Sequence, residues 1–426
     1  MQTIEGFDFF PLTFDADGAL TSREEFDALA GHAQTESATD VVFIAHGFRN
    51  DAADATRLYT GFMQTLRANL ARSELGPVAA RRILVAGVLW PSKSFRETFG
   101  DEVGRDGVRA LRSPDEALAE ARQRLEDLKT QDATPAQRAK LDKAIALLPT
   151  LDGNPRAQDE FVKLVLSLLE GADDDPAEGI DQVRTQSGSS LLQRLKDPVD
   201  AGAPASRDVF DSVAGAVGTF LNLTTWYVMK ERSGTVGAKG VADTVRTLKA
   251  SVPAIKVHLV GHSLGGRLMA SCAKALATDP QVQPDSLMLL EAAFSHFGFS
   301  EDDGKGTRGF FRDVIARQAV KGLLLSTFSS KDSVLANAYA IMSRLAGDRT
   351  REIGDARDPF GAVGRNGPQR TAEAVAGVLA PPENATYDFK HGVINSLDGS
   401  GGLIKNHGDV TNAAVTYAFA LALAAT

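Results

Sequence analysis

Apolar residues in this chain come in short dense runs separated by longer stretches of helical period. Residues 40–45 (Asp-Val-Val-Phe-Ile-Ala) and 83–89 (Ile-Leu-Val-Ala-Gly-Val-Leu) are nearly continuous apolar runs. Runs of that length without alternation predict strands buried on both faces. Residues 256–260, 286–290 and 323–328 read the same way. Residues 7–14 predict an edge strand before the turn Asp15-Ala16-Asp17-Gly18, and 387–394 a weaker last strand. Helical periodicity fills the gaps, over 52–70, 241–250, 267–277 and 410–423. This alternation predicts an α/β fold with a mostly parallel sheet and helices on both faces.

One interval breaks the alternation. About 165 residues separate Leu89 from Lys256, far beyond an ordinary crossover. Ser113-Pro114-Asp115-Glu116 and Thr134-Pro135-Ala136-Gln137 are capping boxes with proline at the first helical position, and Asn154-Pro155 opens a third helix. The division expected is a first core part over 1–92, a helical insertion over 93–223, and a second core part over 224–426. The insertion is either a cap over the site described next or an appended bundle. The apolar stretch 209–229 is long enough to raise a membrane span. Asp211, Gly215, Gly218 and Asn222 interrupt it, so a buried helix is expected, with a lipid- or substrate-facing helix as the alternative.

Composition narrows the classes. The 426 residues are 43% hydrophobic and 24% charged, ordinary values for a globular chain. The net charge of −9 disfavours nucleic acid. A single cysteine, Cys272, excludes an internal disulfide and suits a reducing, cytoplasmic setting. No signal peptide is expected at the first ten residues. The oligomeric state is not legible.

The strongest chemical signal is Gly261-His262-Ser263-Leu264-Gly265, placed between an apolar strand and a helix-forming segment. A strand–G-x-S-x-G–helix arrangement is a nucleophile elbow, a turn that lifts the serine hydroxyl above the sheet at a helix N-terminus. A serine hydroxyl needs a base, the base needs an orienting acid, and the developing oxyanion needs N–H donors. His46-Gly47-Phe48 follows the buried run 40–45. The N–H groups of Phe48 and Leu264 are the expected oxyanion hole. Asp332, just past the apolar run 323–328, is the expected acid, with Glu291 after the preceding strand as its rival. His407 is the expected base, in a loop before the final helix; His391, inside the weak last strand, is the alternative. Asp409 is then the expected N-cap of that helix. His258 lies within a strand and His262 within the elbow, where neither reaches Ser263 productively. Gly304-Lys305-Gly306-Thr307-Arg308-Gly309 matches G-x-G-x-x-G but follows a polar run, so it reads as a loop. Residues 347–369 read as a surface loop. No cofactor or metal is expected.

On residues 257–266, with His46-Gly47, Ser263, Asp332 and His407 in that order, the chain resembles the α/β-hydrolase superfamily in its serine esterase and lipase form. Leu89-Trp90-Pro91-Ser92 is similar to a strand end of bacterial hydrolases of this kind. The resemblance implies hydrolysis of carboxylic esters through an acyl-enzyme, on a small-molecule ester with an apolar acyl group. Peptide or amide cleavage and acyl transfer share the same nucleophile. A non-catalytic hydrolase-like module that binds a partner is the reading of a different class. Two features depart from the family. The insertion lies upstream of the serine, and the oxyanion turn is His-Gly-Phe rather than His-Gly-Gly-Gly.

Overall fold

The two longest apolar runs become neighbouring strands in the middle of one sheet. The computed structural model describes residues 2–35, 38–92, 113–130, 133–169, 175–196, 212–346 and 358–426. Nine strands form the sheet: β1 (Gln2–Ile4), β2 (Phe7–Thr13), β3 (Asp40–Ala45), β4 (Ile83–Leu89), β5 (Lys256–His262), β6 (Ser286–Leu290), β7 (Leu324–Phe328), β8 (Ala374–Val378) and β9 (Ile394–Asp398). Their order is β1-β2-β4-β3-β5-β6-β7-β9-β8, and every pairing except β1–β2 is parallel.

Successive residues of β3 point to opposite faces, and both faces are covered. Val41, Phe43 and Ala45 join one apolar core; Val42 and Ile44 join the other. The first core is closed by helices Arg23–Thr35, Val213–Thr235, Ala242–Ser251 and Leu264–Leu276, the second by Ala52–Leu70 and Ala413–Ala424. A strand buried on both sides has no polar face to show, which is why these runs are continuous.

Several expectations change at the sheet's margins. β2 is not the edge strand: Glu5 and Gly6, both at positive φ, turn the chain so that β1 pairs outside it. No strand covers 387–393. Tyr387 and Phe389 alternate with polar residues, but their rings stack 4.7 Å apart and pack on the second core from a loop. The last strand is β9, and β8 joins it at the edge with Val378 exposed. The final helix is capped by Asn412, whose side chain accepts from the N–H groups of Ala414 and Val415. Asp409 instead accepts from Lys405 N–H at 3.1 Å. Residues 358–369, expected as surface loop, bury Phe360, Ala362 and Val363 and carry the helix Val363–Asn366; 347–357 lie outside the described residues.

The helical segment before β5 contains Pro114–Thr130, Pro135–Leu147, Pro155–Leu166 and Gly188–Lys196. Both capping boxes form, and Asn154 caps the third helix at Ala157 N. Residue 223, the expected boundary, falls inside the 23-residue helix Val213–Thr235. That helix packs on Pro114–Thr130 and on Leu264–Leu276, so it belongs to both layers. Residues 93–112, 131–132, 170–174 and 197–211 of the expected insertion lie outside the described residues, including the start of the apolar stretch 209–229. Among the described residues no helix is long and apolar enough to cross a membrane.

Candidate active site

The parallel strands bring the chemistry-bearing loops to one edge. β3, β5 and β7 all point their C-terminal ends the same way, and Gly47, Ser263 and Asp332 each follow one of them.

Ser263 has φ 58° and ψ −123°, a conformation that side chains rarely adopt. Its backbone is gripped on every side. Its N–H donates to Leu290 O at 3.0 Å, and its carbonyl accepts from Gly266 N at 2.9 Å and Ala293 N at 3.0 Å. Helix Leu264–Leu276 starts on the next residue, three positions earlier than expected, because the tight turn leads directly into it. Gly265 permits this: a Cβ there would lie 2.4 Å from Ala45 O. Ser263 is buried but for 6% of its surface.

His407 and Asp332 meet as expected. His407 Nδ1 lies 2.6 Å from Asp332 Oδ2. Asp332 is fully buried and also serves as an N-cap, its Oδ1 accepting from Leu335 N at 2.9 Å. The loop that carries His407 is tied down by Ser329 Oγ, which donates to Ile404 O, and by Asn412, whose amide donates to Leu403 O and Asp409 O. Among the described residues no hydrogen bond joins Ser263 Oγ to His407. Nucleophile–base bonds are often long before substrate arrives.

The rivals are placed differently. His391 is exposed in the turn before β9, at the N-terminal end of a strand parallel to β7. Ser263 sits at the opposite, C-terminal edge, a strand length away. Glu291 directly follows β6 with φ 44°, and neither of its buried oxygens has a hydrogen-bond partner among the described residues. Burial, together with the Asp332 carboxyl group, pushes its carboxyl well above the usual range.

The turn expected to hold the oxyanion is braced by its own first residue, His46, through a contact that the sequence does not show. Gly47 lies against Ser263: a Cβ on it would come 2.7 Å from Ser263 Cβ. His46 is buried and stacked on Trp90 at 5.6 Å, and its Nδ1 lies 2.9 Å from Gly47 O. Burial lowers its pKa to about 4, so the ring is neutral and its Nδ1 proton faces that carbonyl. In a trans peptide C=O and N–H point opposite ways. Holding Gly47 O therefore aims the Phe48 N–H away from His46. Neither that N–H nor the Leu264 N–H has a protein partner among the described residues. Trp90 completes the brace, with Nε1 donating to His46 O at 3.0 Å.

His262 has a role that was missed. Its Nε2 lies 2.7 Å from His407 O, and the two rings sit 4.8 Å apart. The x of G-x-S-x-G carries no signal by itself; only the fold shows what it meets.

A second Asp–His–Ser chain lies at the sheet's other edge. His258 Nε2 is 2.9 Å from Asp40 Oδ1 and its Nδ1 is 2.8 Å from Ser286 Oγ. All three residues are fully buried, so nothing reaches that hydroxyl.

No family model, curated protein or solved structure matches the chain.

Proposed function

We propose that this chain is a serine hydrolase of the α/β-hydrolase kind, cleaving carboxylic esters through an acyl-enzyme. The observation that carries the reading is the 2.6 Å contact of His407 Nδ1 with Asp332 Oδ2, on loops 75 residues apart, beside a serine held at φ 58°. A buried carboxylate on Nδ1 fixes the tautomer that leaves Nε2 free to take a proton. Ser263 Oγ attacks the ester carbonyl carbon as its proton passes to His407 Nε2. The Phe48 and Leu264 N–H groups take the oxyanion; losing one such donor typically costs about 10²- to 10³-fold in rate. The tetrahedral intermediate expels the alcohol, which takes the proton from His407. Water then attacks the acyl-enzyme carbonyl and gives a proton to His407; collapse of the second tetrahedral intermediate returns that proton to Ser263 Oγ and releases the acid.

The test uses p-nitrophenyl butyrate and a fluorophosphonate. Wild type should turn over the ester and become phosphonylated at Ser263, and Ser263→Ala should do neither while staying folded. His407→Ala should lose far more activity than His391→Ala. Labelling that survives Ser263→Ala, or a greater loss for His391→Ala, would overturn the assignment. Turnover of aminoacyl amides with esters left intact would overturn the ester class alone.

A further inference from the structure

We infer that His262, the residue before the nucleophile, is the positioning residue that fixes the base His407 against Ser263. The inference rests on the serine hydrolase reading for its kinetic consequence, and on geometry for its physical content.

Three observations carry it. First, the His262 ring is 8% exposed and its Nε2 lies 2.7 Å from the backbone carbonyl of His407 itself, not of a neighbour. Second, its Nδ1 is buried with no hydrogen-bond partner among the described residues, so the single proton belongs on Nε2, where it donates to that carbonyl. Third, the two rings lie 4.8 Å apart, tilted at 45°, so His262 also walls one side of the base. The other hydrogen bonds of the His407 loop run within residues 403–412 or to Ser329, Asp332, Gly399 and, on helix Ala52–Leu70, Thr65. The His262 bond ties the loop to the nucleophile's own turn. Nucleophile and base are thus fastened through adjacent residues of one rigid elbow.

The ring is suited to this because it stays uncharged. Burial, with His407 alongside, lowers its pKa to about 3. An imidazolium formed on His407 during the reaction therefore faces a neutral neighbour rather than a second cation. Misplacing a catalytic group by about 1 Å can cost on the order of 10²-fold.

The experiment compares His262→Ala with His262→Gln, whose amide N–H can reach the same carbonyl. In phosphonylation, Ser263 Oγ forms the P–O bond, fluoride leaves, and the hydroxyl proton passes to His407. The second-order rate of that step should fall about 10- to 100-fold in His262→Ala. The kcat for p-nitrophenyl butyrate should fall in parallel with KM little changed, and His262→Gln should recover most of both. Should His262→Ala not fold, His262→Met, which fills the space without a donor, takes its place. An independent readout needs no substrate: the downfield proton resonance of the His407–Asp332 bond, identified by its loss in His407→Ala. It should broaden or shift in the donor-free variant and return in His262→Gln. A donor-free variant with wild-type rate and resonance overturns the inference, as does equal loss in both variants. If wild type fails to label while the resonance still depends on His262, the positioning role stands and the hydrolase reading falls.

Discussion

Asp332 shows how much one buried carboxylate can hold. One oxygen caps the helix Ser333–Leu345 and the other orients His407, so the acid's position is set by the helix it starts. Glu291 stands near it. Its folded pKa lies well above the 4.5 of an ordinary glutamate, through burial and the nearby Asp332. The unfolded chain loses that proton near 4.5 while the folded chain keeps it. The contribution of Glu291 to stability is thus complete below 4.5 and declines as pH rises toward its folded pKa. Glu291→Gln removes this slope. Its melting temperature should fall less between pH 5 and pH 9 than that of wild type; identical slopes would mean that Glu291 is already ionised. The groups facing it, Asp332 from the loop after β7, Thr327 from β7, and the more distant Asp398 and Asp409, are the same in both proteins.

At the scale of elements, the turn His46-Gly47-Phe48 has no room for a side chain at its centre. Replacing Gly47 with alanine sets a methyl 2.7 Å from Ser263 Cβ and 3.2 Å from its Oγ. The turn must move, and Phe48 N–H moves with it. Gly47→Ala is expected to lower kcat by about 10²-fold or more, with a stability loss of about 1–3 kcal/mol from overpacking. Kinetics and urea unfolding on one preparation check both figures. The strands that carry this turn were legible because burial on both faces leaves only apolar residues: β3 and β4 begin and end where the runs do. The margins were not. β8 lies at the edge with three of its five residues exposed, and Tyr387 and Phe389 pack partly buried from a loop, which mimics a strand pattern. In the site, Ser263, Asp332 and His407 were visible because their chemistry restricts residue type and each follows a strand or precedes a helix. The contacts of His46 and His262 were not, because both are made to a backbone carbonyl, and a carbonyl leaves no mark on the sequence of its partner.

Across the whole molecule, the helical segment and the sheet share a buried ionic joint. Lys230 on helix Val213–Thr235 pairs with Glu178, and both are buried. Glu178 also accepts from Ser295 N at 2.6 Å, in the loop that follows β6 and wraps Ser263. Arg232 reaches Pro91 O from the same helix at 2.8 Å. At these positions the segment is keyed into the walls of the site. Glu178→Ala leaves a buried ammonium without its partner and is expected to cost about 3–5 kcal/mol. Replacing both with methionine should cost less than the single change, since no charge is then stranded. Chemical denaturation of the two variants decides this; a double change at least as harmful as the single would point to lost packing instead.

The sealed Asp40–His258–Ser286 chain has its own consequence. It lies at the N-terminal ends of the central strands β3, β5 and β6, covered by Thr39 and Arg81, whose side chains bond Asp40. The imidazole proton between Asp40 and His258 can trade with solvent only through an opening that uncovers this fully buried ring, and its exchange rate is a built-in clock for that event.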